Sequence, residues 1–118
     1  PFLLAALRAV ATPPGGNTLA LLVARLVALL VQVAALDLPP VSREAAELLA
    51  DLPAWARELP PVHLPRMSLD ALAREVRAVV VMVGAEARGQ PWWLSLTWAT
   101  AVLLVDMDEA VAVAREAA

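Results

Sequence analysis

Apolar residues run in long stretches along this chain, and proline and glycine mark the breaks between them. The first stretch, Phe2 to Ala11, is short and closes at Pro13-Pro14-Gly15-Gly16-Asn17. Between Thr18 and Asp37 the polar residues are Arg25 and Gln32, so that Thr18, Arg25 and Gln32 recur every seven positions. That spacing predicts a helix capped by Asn17 or Thr18, almost surrounded by protein and carrying one narrow polar stripe. Pro39-Pro40 ends it. Ser42 reads as the cap of a second helix, with Glu44 in a first turn where the helix dipole favours an acid. Asp51, two residues before Pro53, predicts a further cap and a restart over 53–59. A stiff loop, Pro60-Pro61-Val62-His63-Leu64-Pro65, separates these elements from the second half.

Ser68 is the expected cap of the next helix, with Asp70 in its first turn and Gly89 as the residue that closes it. Leu69, Leu72, Val76, Val79 and Val83 share one face, and Asp70, Arg74, Arg77 and Arg88 share another, which is an ordinary amphipathic pattern. The last segment supports two readings. Trp93-Leu94-Ser95-Leu96-Thr97-Trp98 alternates with a period near two, which fits a hairpin over about 77–104 turning at Gly89-Gln90. Pro91 as a first helical residue, and the alanines after it, favour a helix instead. On a wheel, Trp92, Leu96, Ala99, Leu103, Ala110 and Ala114 form one stripe. Leu94, Trp98, Ala101, Val105 and Ala112 form another, almost opposite. An element apolar on two sides is expected in the middle of the molecule. The fold expected is therefore all-α, one helical-bundle domain over 1–118 with four to five helices and a central apolar pocket. An α+β form with the hairpin is the alternative. No period of 20–50 residues recurs, which excludes repeat architectures.

Composition sharpens this picture. The 118 residues suffice for one domain with a sizeable core, and 61 % of them are apolar, well above the usual ~45–50 %. The absence of Cys excludes disulfides, thiolate zinc sites and cysteine nucleophiles. Nine Arg, with no Lys, against twelve acids leave a net charge of −3, which argues against nucleic acid as a partner. Lys, Ile, Tyr and Cys are all missing. Either a GC-rich gene or a designed sequence explains so narrow an alphabet.

The apolar excess raises the question of a membrane. Thr18 to Leu36 has about the length of a span, yet Arg25 at its centre costs ~2.5–3.5 kcal/mol on the insertion scale. Neither this stretch nor Pro91 to Val105 is flanked by a basic cluster, and Pro1 to Val10 lacks the basic start of a signal peptide. The expectation is a soluble monomer with a heavy core, cytoplasmic if expressed in a bacterial host.

Candidate chemistry is sparse. His63, the single imidazole, is held between prolines that limit where its ring can point. It is an axial ligand for haem iron, a general base or nucleophile, or a loop histidine bonded to backbone or water. Trp92, Trp93 and Trp98, with Trp55, either wall a pocket for a flat ligand or fill space in a core of small aliphatics. Gly84, beside Met82 in mid-helix, costs ~1 kcal/mol against Ala and implies close approach of a helix or a ligand. Arg25, Gln32 and Asp37 are the polar exceptions on the most apolar helix. Facing inward they would orient a ligand; facing outward they are a solvated edge. Ser95, Thr97 and Thr100 pose the same choice, though helical Ser and Thr also bond a carbonyl one turn back. Asp106 is either a buried acid or the cap of a restarted helix in Asp106-Met107-Asp108-Glu109. No phosphate loop, metal motif or basic aromatic patch occurs, which points away from catalysis.

Cleanly capped helices, a restricted alphabet and a large apolar core resemble de novo designed helical bundles built around a small molecule. The resemblance covers the whole chain and rests on style, since no diagnostic motif carries it. Ten prolines and a short first segment depart from an idealised bundle. It implies binding of a drug-like, largely aromatic molecule between the Thr18, Ser68 and Pro91 helices. The expected lining is Trp55, Trp92, Trp93, Trp98, Met82 and Gly84, with Arg25, Gln32, Ser95, Thr97 or Asp106 on polar groups. No cofactor is expected in that reading. The alternatives are a haem protein with His63 as axial ligand and Arg57 or Arg66 on the propionates, or a helical interaction or membrane-associated module.

Overall fold

The computed structural model of the chain describes residues 18–117. It contains four α-helices, α1 (Thr18–Ala34), α2 (Val41–Asp51), α3 (Leu69–Glu86) and α4 (Pro91–Ala117), and a 3-10 turn at Ala54–Glu58. No strand occurs among the described residues, so the all-α expectation is met and the hairpin over 77–104 is not formed. That stretch belongs to α3 and α4, joined by a turn in which Gly89 takes a positive φ of 81° and Gln90 N–H donates to Ala87 O. The Phe2–Ala11 stretch and the Asn17 cap lie outside the described residues.

Several local signals act as expected. Ser68 Oγ accepts from Ala71 N–H at the start of α3, and Pro91 opens α4. Leu72, Val76, Val79 and Val83 form the buried face of α3. Others act differently. Ser42 is not a cap, because α2 begins one residue earlier at the buried Val41. Its Oγ instead donates to Val33 O and accepts from Leu38 N–H, tying the end of α1 to the start of α2. Between them Asp37 takes a φ of 53°, a left-handed turn that Asp tolerates better than most residues. Asp51 caps nothing: it ends α2, and the 3-10 turn begins after Pro53 without a side-chain cap. Asp106 to Glu109 restart nothing either. α4 is continuous there because Met107 is fully buried and holds that turn against the bundle.

Side-chain pairs fix the helix directions. Arg25 meets Glu75 and Gln32 meets Met67, so α3 runs antiparallel to α1. Asp70 meets Arg115 and Arg77 meets Asp108, so α4 runs antiparallel to α3. α1 packs on α2 and α3, α4 packs on the same two, and α1 and α4 face each other across the diagonal. Because α2 and α3 both run opposite to α1, residues 52–68 must travel back the length of the bundle. They do so along the outer side of α1, beginning with the 3-10 turn and ending at Pro65 and Met67. Leu26, Leu29, Leu30, Leu72, Val76, Leu103 and Met107 fill the space between the helices.

Two expectations about shape change here. α1 is not almost surrounded, since Leu21 and Val31 are exposed. α4 buries one stripe, Trp93, Leu96, Thr100, Leu103, Met107 and Val111, and leaves the second stripe in solvent. It lies at a corner of the bundle, not in its middle. No helix among the described residues is long and apolar enough to cross a membrane.

Candidate functional site

The crossover leaves a cleft of about 530 Å³ between itself and α1. Its floor is the outer face of α1, with Val27, Ala28 and Val31, and its wall is Leu59 to Leu64. The prolines of the wall keep the backbone extended and away from the helix, so the space is not closed by a turn of chain. His63 lines this cleft and is exposed. Two other polar side chains border it, and both are occupied. Gln32 Nε2 donates to Pro65 O at 2.8 Å while its Oε1 accepts from Met67 N–H at 3.1 Å, pinning the far end of the crossover. Arg57 donates through Nη2 to the carbonyls of Leu49 and Ala50, which satisfies the open end of α2. His63 is therefore the polar group of this cleft with no bond to the fold. Beyond Gln32 a second space of about 320 Å³ is bordered by Leu36, Leu64, Arg66, Met67 and Leu72.

The tryptophans expected to wall a central pocket do something else. Trp55 and Trp92 meet edge to face with ring centroids 5.7 Å apart, and Trp92 and Trp93 likewise at 6.0 Å. The indole of Trp93 lies over Gly84, where an added Cβ would stand 3.1 Å from its Nε1. The mid-helix glycine is thus explained by one ring of α4 closing onto α3. Trp98 turns outward and is 79 % exposed. Among the described residues the three partnered rings form one cluster at the end of the bundle, and none of them borders a described cleft.

The remaining candidates are scattered. Arg25 forms a partly exposed ion pair with Glu75 at 2.9 Å on the α1–α3 edge, the outward of its two readings. Met82 is exposed. Ser95 and Thr97 donate to the carbonyls of Trp92 and Trp93 within their own helix, as Thr100 does to Thr97. Arg25, Met82, the tryptophans and Asp106 do not converge on one space. Gln32 alone among the expected ligand-binding residues borders the cleft, and His63 joins it there. A lone amide on an apolar helix was the available signal: such a group needs partners, and the loop's open backbone supplies them.

Asp106 sits beside Glu44, across the α2–α4 contact. Oε2 of Glu44 is buried without a partner. Burial, with the Asp106 carboxyl beside it, pushes the Glu44 carboxyl up to about 7, Glu47 adds to this, and Arg43 opposes it. Two ionised carboxylates have no donor to share, whereas one proton between them makes a hydrogen bond. Because the folded pKa is raised, this contact contributes fully below about pH 4.5 and its contribution is lost as pH rises through about 7. Glu44→Gln should match the wild type in Tm at pH 5 and exceed it at pH 8. Parallel melting curves would decide it, and a variant with the wild-type pH slope would contradict the assignment.

Among the described residues no group of three or more His, Asp or Glu side chains could hold a metal ion. No known protein family, no curated protein and no solved structure matches this chain.

Proposed function

We propose that the protein binds a flat, largely apolar small molecule in the cleft between α1 and the crossover. The observation that carries this reading is the cleft itself. Its 530 Å³ falls within the ~300–1,000 Å³ of small-molecule sites, and it combines an apolar lining with one uncommitted imidazole. Val27, Val31, Leu59 and Leu64 would cover the faces of the ligand, and His63 would meet its one polar edge. The ligand class is the one that the likeness to designed ligand-binding bundles implies, placed at a different site. Nothing in the reading requires a chemical step.

A panel of aromatic fragments followed by amide chemical shifts tests it. Binding should move the signals of residues 27–32 and 62–64. Ala28→Phe, which fills the floor of the cleft, should abolish those shifts without lowering Tm. Shifts centred on any other part of the bundle would refute the placement, and a panel without a single binder would refute the function.

Haem is the second reading, favoured by the position of His63 on this cleft with Arg57 bordering it and Arg66 on the adjoining space. Imidazole would be the axial ligand and Arg66 would face one propionate, while Arg57 would meet the other only by sharing or leaving the carbonyls of Leu49 and Ala50. A Soret band on titration, lost in His63→Ala, would establish it; an unchanged spectrum removes it.

A further inference from the structure

α4 presents to solvent a stripe that the fold does not use. Leu94, Trp98, Ala101 and Val105 follow one another at intervals of four, three and four, the spacing of a coiled-coil seam, over about 16 Å of helix. Leu94 and Val105 are 63 % and 64 % exposed, and Trp98 more so. The pairing of Arg77 with Asp108 sets Val81 of α3, also exposed, one turn further along the same edge. An exposed tryptophan in the middle of such a seam is the residue type that anchors protein contacts.

The residues of the stripe choose their own partner. When a second α4 is laid antiparallel across the first, with the two-fold axis between Trp98 and Ala101, each indole falls opposite the small Ala101 of the other copy. Each Leu94 then falls opposite a Val105. Large meets small twice and branched meets branched twice, which is the self-complementarity that a two-fold contact requires. A parallel arrangement would set indole against indole. The charges agree with the antiparallel one. Arg88, in the turn that precedes α4, and Glu109, on its outer side, are both exposed and form no ion pair among the described residues. The same register brings Glu109 of each copy opposite Gln90 of the other, two positions from Arg88 and within reach of its long side chain. It also sets Asp108 near the opposing N-terminus of α4, where free amides favour an acid.

We propose that the protein forms a two-fold dimer through this outer face of α4, antiparallel and centred between Trp98 and Ala101. About 16 Å of one helix offers a small patch beside the ~1,200–2,000 Å² that stable interfaces bury, so the dimer is a weak one. It replaces the monomer expected from composition, and it is independent of the cleft on α1.

Sedimentation velocity over a range of concentrations reads the association. The wild type should shift from monomer to dimer with rising concentration. Ala101→Trp, a change at an exposed position, should abolish the shift and leave the helical signal and Tm unaltered. Arg88→Glu and Glu109→Arg should each weaken association roughly two- to fivefold, as rim ion pairs do, and their combination should restore it. A monomer at every concentration overturns the proposal, whether the face then proves to bind lipid vesicles or to be shielded from aqueous quenchers by other residues of the same chain. A dimer indifferent to Ala101→Trp, or a charge swap that fails to restore, overturns it as well.

Discussion

Trp93→Ala should destabilise the protein by about 3–5 kcal/mol, the range for deleting a buried aromatic ring, and lower Tm by roughly 10–20 °C. The indole is almost fully buried, meets Trp92 edge to face and closes α4 onto α3 over Gly84. Gly84→Leu should be costly on its own, by about 1–3 kcal/mol, because its side chain would have to enter space the ring already fills. The two changes together should cost less than their sum by about 1–3 kcal/mol, since the leucine then occupies part of the vacated volume. Urea unfolding of the four proteins gives the coupling directly. Strict additivity would mean that Trp93 and Gly84 do not share that space.

The second large effect belongs to Gln32. Gln32→Leu removes a donor and an acceptor at once and leaves the Met67 N–H and the Pro65 carbonyl to find water. The Pro65 carbonyl is exposed and meets water, but the Met67 N–H is partly buried, and a shielded unmet group costs about 1–3 kcal/mol, so a loss of about 2 kcal/mol is expected, concentrated in the crossover. Hydrogen exchange separates this from a general weakening. The Met67 amide should exchange faster by one to two powers of ten, while Val76 and Leu103 amides change only with global stability. Uniform acceleration at all three would show that the side chain supports the whole bundle and not the crossover alone.

How far the residues alone disclosed this arrangement depends on the range of the interaction. Ser68, Pro91 and the valine face of α3 act through neighbours within one or two turns, and their pattern identified cap, start and core face. Ser42 misled because a serine beside a helix start has two local options, and the burial of Val41 decided between them. Asp106 to Glu109 misled for a related reason: a capping pattern is overridden where a buried Met107 holds the helix to its neighbours. The double stripe of α4 was visible, but periodicity reports apolar faces and not what covers them. The pairing of Gln32 with residues 65 and 67 lay beyond any local pattern. So did the cleft, since its two walls come from segments separated by about the length of α2 and the turn. Of the candidate site, the type of residue was readable and the company it keeps was not.

The crossover has a consequence for how the chain is made. The α1–α2 pair is complete when Asp51 has been added, whereas α3, which packs on another side of α1, is complete only at Glu86. During synthesis α1 therefore waits for its α3 partner while the crossover and all of α3 are added. The crossover is a poor partner for edge-to-edge pairing with another chain. Pro60, Pro61 and Pro65 lack the amide hydrogens that a strand would offer, and prolines so placed act as gatekeepers against strand-like capture. The same residues that border the cleft in the folded protein withhold from the crossover three of the amide hydrogens that strand pairing would need.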